Sequence, residues 1–315
     1  MQVYGPVPSR RFGQSLGIDL IPPKICNYSC IYCQLGRTLN YTNERRSWFS
    51  KEDILKELVN HVKKVGIDTI DYITIVGDGE PTLSLDLGWM ISEVKKRFSV
   101  PVAVITNGAL LSSPQVRLEL KQADVVSPTF DAADEEMFKK VNRPYGDLRF
   151  NKIIDGMVQF RKEYSGEIWI EIMVMDGIND GDTQIMEIKE SLKDIKPDRI
   201  YINVPIRPPA ESYVKIPSIS RIYAYKDKLG NFFDITLPEE GSFALRSDKE
   251  EDILRELIEI IKRHPMRKEQ ILEILEQKRI DDQEQFMNNL TETNEIEEVS
   301  HRGCVFIEWK HYKRG

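Results

Sequence analysis

Short apolar runs alternate along the first 230 residues with longer segments whose apolar positions recur every three or four. The runs predict buried strands and the longer segments amphipathic helices. Strands fall at residues 16–20, 70–76, 100–106, 124–127, 167–175 and 199–204; helices fall at 51–65, 85–98, 114–122, 148–164, 182–195 and 218–229. Strict alternation predicts an α/β fold with a parallel sheet and helices on its outer face. Six units are too few for a closed eightfold barrel, so the expected shape is a partial, open (βα)6 barrel over residues 1–230. Sites in such folds gather at the carboxyl ends of the strands.

Between residues 231 and 248 the periodicity breaks down around Leu237, Pro238 and Gly241, as in a linker or covering segment. A second pattern then begins. Residues 249–264 form a strongly amphipathic helix stopped by Pro265, residues 268–277 a second and 281–293 a third, and 296–299 pairs with 305–309 as a hairpin. Three helices and a hairpin predict a C-terminal winged-helix-like domain over residues 249–315. Winged helices often read nucleic acid, so charge decides. From Glu250 to Gly315 the chain carries 11 basic and 16 acidic side chains, and the third helix opens with Asp281, Asp282, Gln283 and Glu284. Such a face repels phosphate, which argues against duplex DNA and for packing, dimerisation or docking of a protein.

Composition narrows the class further. With 44 basic and 51 acidic residues the net charge is −7, so nothing draws the whole molecule to nucleic acid or an anionic membrane. No stretch approaches the roughly 18 apolar residues of a membrane span, and the first residues lack the pattern of a signal peptide. Four cysteines, three of them clustered, argue against a secreted disulfide framework and for a reducing, cytoplasmic compartment.

The clustered thiols are the sharpest chemical signal. Cys26, Cys30 and Cys33 lie in the run Cys-Asn-Tyr-Ser-Cys-Ile-Tyr-Cys, a C-x3-C-x-Tyr-C spacing just past the first strand. Three thiolates without a fourth suit an iron–sulfur cluster that leaves one iron open for a small molecule, whereas four ligands close the shell. A zinc site with a distant ligand, or a reduced structural group, is the alternative. Cys304, in the hairpin, reads as a plain buried thiol, so no second cluster needing three or four thiolates fits this chain.

Other candidates lie at the ends of later strands. The second ends Gly77-Asp78-Gly79-Glu80-Pro81-Thr82, where glycines let backbone approach a ligand and a carboxylate can receive an ammonium. The third ends Thr106-Asn107-Gly108, a binding edge or a simple turn. After the fourth, Ser127, Thr129 and Asp131 suit ribose hydroxyls, with Asp131 alternatively capping a helix near Asp134. Glu171 alternates with Ile170 and Ile172, and a carboxylate facing into a barrel is costly unless used or paired. Arg207, among stiff prolines, suits a bidentate clamp on carboxylate or phosphate, or a rim salt bridge.

The cysteine spacing, with Tyr32 before the last thiol, resembles the cluster loop of the radical S-adenosylmethionine (SAM) superfamily, and residues 79–82 resemble its glycine-rich motif. Together with residues 5–11, 26–38 and 207–211, the match is similar to the branch related to wyosine-base (tRNA) synthases, over residues 4–230. Asp78 departs from the commoner double glycine. Residues 31–35 are poorer in tryptophan and basic residues than true wyosine synthases, so a tRNA substrate does not carry over with the fold. The resemblance implies a [4Fe–4S] cluster on Cys26, Cys30 and Cys33, with SAM at the open iron. Tyr32, Gly77, Asp78, Gly79, Glu80, Thr106, Asn107, Ser127, Thr129 and Asp131 would surround that cofactor, Glu80 receiving its ammonium. One electron would release a 5′-deoxyadenosyl radical that takes hydrogen from a substrate, with Glu171 and Arg207 as catalytic candidates. The electron donor would be a flavodoxin or ferredoxin, and the substrate a tRNA nucleoside or a protein side chain. The competing class is a non-catalytic zinc- or iron–sulfur-binding adaptor whose winged helix docks a partner; such a protein has no need of residues 77–82.

Overall fold

The chain opens with a hairpin, β1 (Val3–Ser9) and β2 (Gly13–Ile18), followed by a small ribbon, β3 (Ile25–Cys26) and β4 (Asn40–Tyr41). Units of helix and strand follow: α1 (Lys51–Val65), β5 (Tyr72–Ile75), α2 (Leu87–Arg97), β6 (Val102–Thr106), α3 (Pro114–Leu120) and β7 (Val125–Pro128). They continue with α4 (Glu135–Val141), α5 (Phe150–Glu163), β8 (Glu167–Met173), α6 (Asp182–Ile195), β9 (Arg199–Asn203), α7 (Ile219–Leu229) and β10 (Phe233–Asp234). This computed structural model describes residues 1–230, 233–234, 243, 245, 247, 249–312 and 314. Most of the expected linker at 231–248 therefore lies outside the described residues.

The main sheet runs β1-β2-β5-β6-β7-β8-β9-β10, curled into a half-barrel. β1 is antiparallel at one edge, and every later neighbour is parallel. All six expected strand–helix units are present, with ends shifted by no more than three residues. Two strands of this sheet were not expected. β1 lies ahead of the first expected strand, where prolines at 6 and 8 broke the apolar alternation, and β10 lies in the stretch read as a linker.

Strand alternation sorts the two faces of the sheet. Ile73, Ile75, Val102, Val104, Ile170 and Ile172 join helix residues such as Leu58, Ile91 and Phe160 in the main core. The residues between them face the concave side and form layers. Ala103, Val125, Trp169 and Tyr201 make an apolar lower layer, and Phe12 from the β1–β2 turn fills it, stacked on Trp169 with ring centroids 5.1 Å apart. Two residues further along β7, β8 and β9 the inward positions are polar, Ser127, Glu171 and Asn203, while β6 contributes Ile105 beside Ser127. The hairpin turn thus plugs a barrel that the sheet leaves open.

Beyond the barrel lie α8 (Glu250–Ile261), β11 (Met266–Arg267), α9 (Lys268–Gln277), α10 (Gln283–Glu292), β12 (Ile296–His301) and β13 (Cys304–Trp309). The strands form a separate sheet, β11-β13-β12, and Leu257, Ile271, Phe286, Leu290 and Ile307 share a core of their own that also touches Val7 of β1. Helix α10 is capped by Asp282, which accepts from Gln285 N at 2.9 Å. Cys304 is half-buried at the start of β13, more accessible than expected, because it occupies the tip of the hairpin beside the Arg302–Gly303 turn.

The plug yields a first prediction. Phe12 is 1% exposed, and Phe12→Ala should lower the unfolding free energy by about 3–5 kcal/mol, read by urea titration with tryptophan emission as probe. A loss below about 1 kcal/mol would show that the turn does not seal the barrel.

Candidate functional site

The three cysteines sit at the carboxyl ends of the barrel strands, on a loop stitched to the segment after α4. Ser29 N and Ile31 N donate to the carbonyls of Asn142 and Val141, each at 3.0 Å. Cys33 N donates to Cys30 O at 3.1 Å, closing a turn that brings their thiols to one side. All three thiols are reduced and half-buried. Each faces a donor: Cys26 Sγ receives Tyr28 N at 3.4 Å and Asn107 Nδ2 at 3.6 Å, Cys30 Sγ receives Asn142 Nδ2 at 3.5 Å, and Cys33 Sγ receives Lys24 Nζ at 3.7 Å.

Burial, with a smaller push from Glu80, raises the Cys26 thiol to about 12, and burial raises Cys30 as well. Without a metal these groups stay protonated; a metal that displaces the protons converts them to ligands. Among the described residues no three or more His, Cys, Asp or Glu side chains are gathered as around a single metal ion. What the loop offers is three thiols ringed by hydrogen-bond donors, with the buried Asn27 Nδ2 beside them lacking an acceptor. That donor set fits an anionic cluster.

Glu80 is the knot beneath this loop. It is 2% exposed, and its Oε1 accepts from Thr82 N at 3.0 Å and from the hydroxyls of Thr82 and Thr106 at 2.6 Å each. Its Oε2 accepts from Asn107 N at 2.7 Å. The carboxylate expected to receive an ammonium also accepts from the turn after β5 and from the end of β6, and through Asn107 it supports Cys26. The neighbouring glycines also serve the protein. A Cβ on Gly79 would come within 2.0 Å of Ile25 O, and one on Gly77 within 1.9 Å of Asp19 Oδ1. The close approach they permit is that of the cysteine loop and of Asp19.

Asp78 turns away from the thiols. Its backbone carbonyl accepts from Lys24 N at 2.8 Å, while its side chain lies 3.9 Å from Arg263 Nε, beside Asp19. Burial and the neighbouring Asp19 charge push its carboxyl well above the usual range, and burial raises Asp19 to about 6. One arginine between two buried carboxylates is a docking joint rather than a rim.

Asp131 does not cap a helix. That role belongs to Asp134, which accepts from Met137 N at 2.7 Å. Asp131 instead accepts from Tyr32 OH at 2.5 Å, Asn142 Nδ2 at 3.0 Å and Met173 N at 2.8 Å, and burial holds its carboxyl up at about 6. It positions the aromatic before Cys33 and the amide that serves Cys30. Ser127 lies a layer lower, its hydroxyl donating to Trp169 O at 2.8 Å. Thr129, two residues further on, pairs its backbone with that of Glu171, and its N–H donates to Thr106 O at 3.0 Å.

Below the loop lies a cavity of about 340 Å3. Tyr32 and Cys33 stand in its wall, as do Gly77, Glu171 and Arg207. Glu171 forms an ion pair with Arg11 and accepts from Asn203 Nδ2 at 3.0 Å; Arg10 reaches Asn203 Oδ1 at 3.1 Å. This half-buried carboxylate is paired, as its inward position demanded. Arg207 reaches the C-terminal segment, donating to Pro265 O and to Gln34 Oε1, each at 3.2 Å, and lying 2.6 Å from His264 Nε2. It joins two parts of the chain across the cavity wall.

The family described as the radical SAM superfamily matches residues 20–188. The chain belongs to the radical SAM superfamily. Members use a [4Fe–4S] cluster and SAM, and they require a reductant and a substrate. The chain is 40% identical to UPF0026 protein MJ1312 of Methanocaldococcus jannaschii, over 96% of this chain and 94% of that one. Among solved structures, a radical SAM methyltransferase from Sphaerobacter thermophilus is similar in fold, at TM-score 0.55 and 15% identity over 72% of this chain and 67% of that one. TYW1 with a lysine–pyruvate adduct bound aligns at TM-score 0.45 and 13% identity over 93% of this chain and 79% of that one. Among the described residues no helix is long and apolar enough to cross a membrane.

Four residues that the structure brings to this candidate site were not named as candidates in the sequence reading: Lys24, Asn142, Arg11 and Asn203. Lys24 stands two residues before the first cysteine and gave a faint signal by proximity. Arg11 lies in the 5–11 segment singled out by the resemblance and Asn203 ends the sixth expected strand, but the contacts of these two and of Asn142 arise where distant segments meet.

The Glu80 knot yields a second prediction. Glu80→Ala strands four buried donors, and each hydrogen bond to a charged group contributes about 1.5–3 kcal/mol, so the variant should lose about 3 kcal/mol or more of stability. It should also retain less iron after reconstitution, since Asn107 loses its anchor. A variant with the stability of the parent would show that Glu80 is not the support of this loop.

Proposed function

We propose that this radical SAM enzyme holds one [4Fe–4S] cluster on Cys26, Cys30 and Cys33 and abstracts hydrogen from a substrate admitted to the barrel cavity. The supporting observation is that Tyr32 and Cys33 stand in the wall of that cavity, so the cysteine loop and a substrate-sized space adjoin. The cluster and SAM, when bound, supply a 5′-deoxyadenosyl radical by reductive cleavage.

The chain's own groups do the rest. Asn107, Asn142 and Tyr28 N orient the thiols, and Asp131 holds Tyr32 against the loop. Tyr32, Thr106, Asn107 and Thr129 offer SAM a polar upper edge, with Glu80 as its buttress. Glu171, fixed by Arg11 and Asn203, presents a carboxylate to the substrate from the floor. Phe12 and Trp169 exclude water from below, which protects a reactive intermediate, and Arg207 with His264 closes a side. The volume lies at the small end of the roughly 300–1,000 Å3 typical of ligand sites. It suits one nucleoside of a tRNA or one protein side chain presented from outside. A flavodoxin or ferredoxin in the cytoplasm is the proposed reductant, and the C-terminal elements, as a winged-helix-like domain, are proposed to dock the macromolecule that carries the substrate.

Anaerobic reconstitution with iron and sulfide should give about four irons per chain, and dithionite should then release 5′-deoxyadenosine and methionine from SAM. Replacing Cys26, Cys30 or Cys33 by Ala should abolish both results, whereas Cys304→Ala should leave them intact. Stoichiometric zinc without iron uptake would favour the adaptor class instead.

A further inference from the structure

We infer that Lys24 is a positioning residue that sets the reduction potential of the cluster through a fixed positive charge beside Cys33. The inference rests on the proposed cluster site and assigns it an electrostatic partner. Lys24 is 3% exposed, and its ammonium donates to Gly36 O at 2.6 Å and to Cys33 Sγ at 3.7 Å. No carboxylate lies within ion-pair distance of it among the described residues. Asp78 feels this charge only at longer range, and a buried ammonium with no anion in direct contact is costly, so its retention calls for a negative partner. The facing atom is a cysteine sulfur, and a cluster held by three thiolates is such a partner.

The backbone confirms that the position is built. Lys24 adopts φ 61°, in the left-handed region that few residues other than glycine enter. Its N–H donates to Asp78 O, and its carbonyl accepts from Leu39 N and Asn40 N at 3.2 and 3.1 Å. These bonds fix the side chain beneath the loop. The other thiols receive neutral donors, from Asn107 and Asn142. Cys33 alone among the three receives a charged one. One-electron reduction adds a negative charge to the cluster, and a fixed cation nearby favours the reduced state.

The test compares the full-length protein with Lys24→Met and Lys24→Arg, each reconstituted anaerobically and first assayed for iron. Failure of the parent to take up iron would remove the cluster reading itself, separately from Lys24. With equal iron, the midpoint is followed by mediated redox titration against the electron paramagnetic resonance signal, without SAM. Lys24→Met should shift the reduction equilibrium at least tenfold toward the oxidised state, about 59 mV for one electron, and Lys24→Arg should restore most of that shift. An unchanged midpoint in Lys24→Met overturns the inference, as does a shift equally large in Lys24→Arg. If Lys24→Met takes up too little iron to titrate, melting of the iron-free proteins decides. A higher melting temperature than the iron-free parent supports a buried charge awaiting its anion; an equal or lower one shows an ordinary packing lysine and overturns the assignment.

Discussion

The hydrogen bonds converging on the Glu80 carboxylate hold the site together. A buried carboxylate is tolerable only when its lone pairs are filled, and here they are filled by donors from two strand ends. Thr82 belongs to the turn after β5, while Thr106 and Asn107 end β6. The carboxylate thereby sets the spacing of two neighbouring strand ends, and Asn107, held by it, touches Cys26. Gly79 completes the arrangement from the other side, since only a residue without a side chain lets the Ile25 carbonyl come so near. A motif that looks like a ligand cradle in one dimension is first a joint between the sheet and the cysteine loop.

Beneath that joint, strand periodicity builds a graded interior. Along β7, β8 and β9 the inward positions pass from Val125, Trp169 and Tyr201 to Ser127, Glu171 and Asn203. The first set gains from being dry; the second requires partners. Both needs are met by one turn, whose Phe12 stacks in the lower layer and whose Arg11 pairs with Glu171 in the upper one. Adjacent residues of a hairpin thus close the barrel and pair its inward-facing carboxylate. The cavity above is left with a fixed polar floor, the condition for orienting a substrate rather than merely enclosing it.

What could be read in one dimension was what depends on local period or short spacing. The six strand–helix units and the three thiols are of this kind, because 2.0 and 3.6 periodicity and a C-x3-C-x-Tyr-C run are contained within short windows. The β1–β2 plug was not legible, since prolines broke its pattern and its meaning lies in Trp169, more than 150 residues away. Asp131 was marked as polar and well placed, but its partners, Tyr32, Asn142 and Met173, come from three other segments. Arg207 was flagged for its stiff neighbours; its contacts with Gln34, Pro265 and His264 follow from how the C-terminal elements sit against the barrel.

That seating bears directly on the cysteine loop. Gln34, the residue after the third thiol, is gripped three times: its carbonyl accepts from Arg314 Nη2 at 3.0 Å, its Oε1 from Arg207, and its Nε2 donates to Arg263 O at 3.3 Å. Arg263 also reaches between Asp19 and Asp78, the carboxylates behind Gly77. One side of the loop is therefore held by the barrel through Glu80 and Asn107, and the other by residues that follow α8. Hydrogen bonds of this kind contribute about 1–3 kcal/mol each, so the hold on the loop is spread over both sides. The C-terminal elements thus hold Gln34, the residue that follows the third thiol, from the side opposite to Asn107.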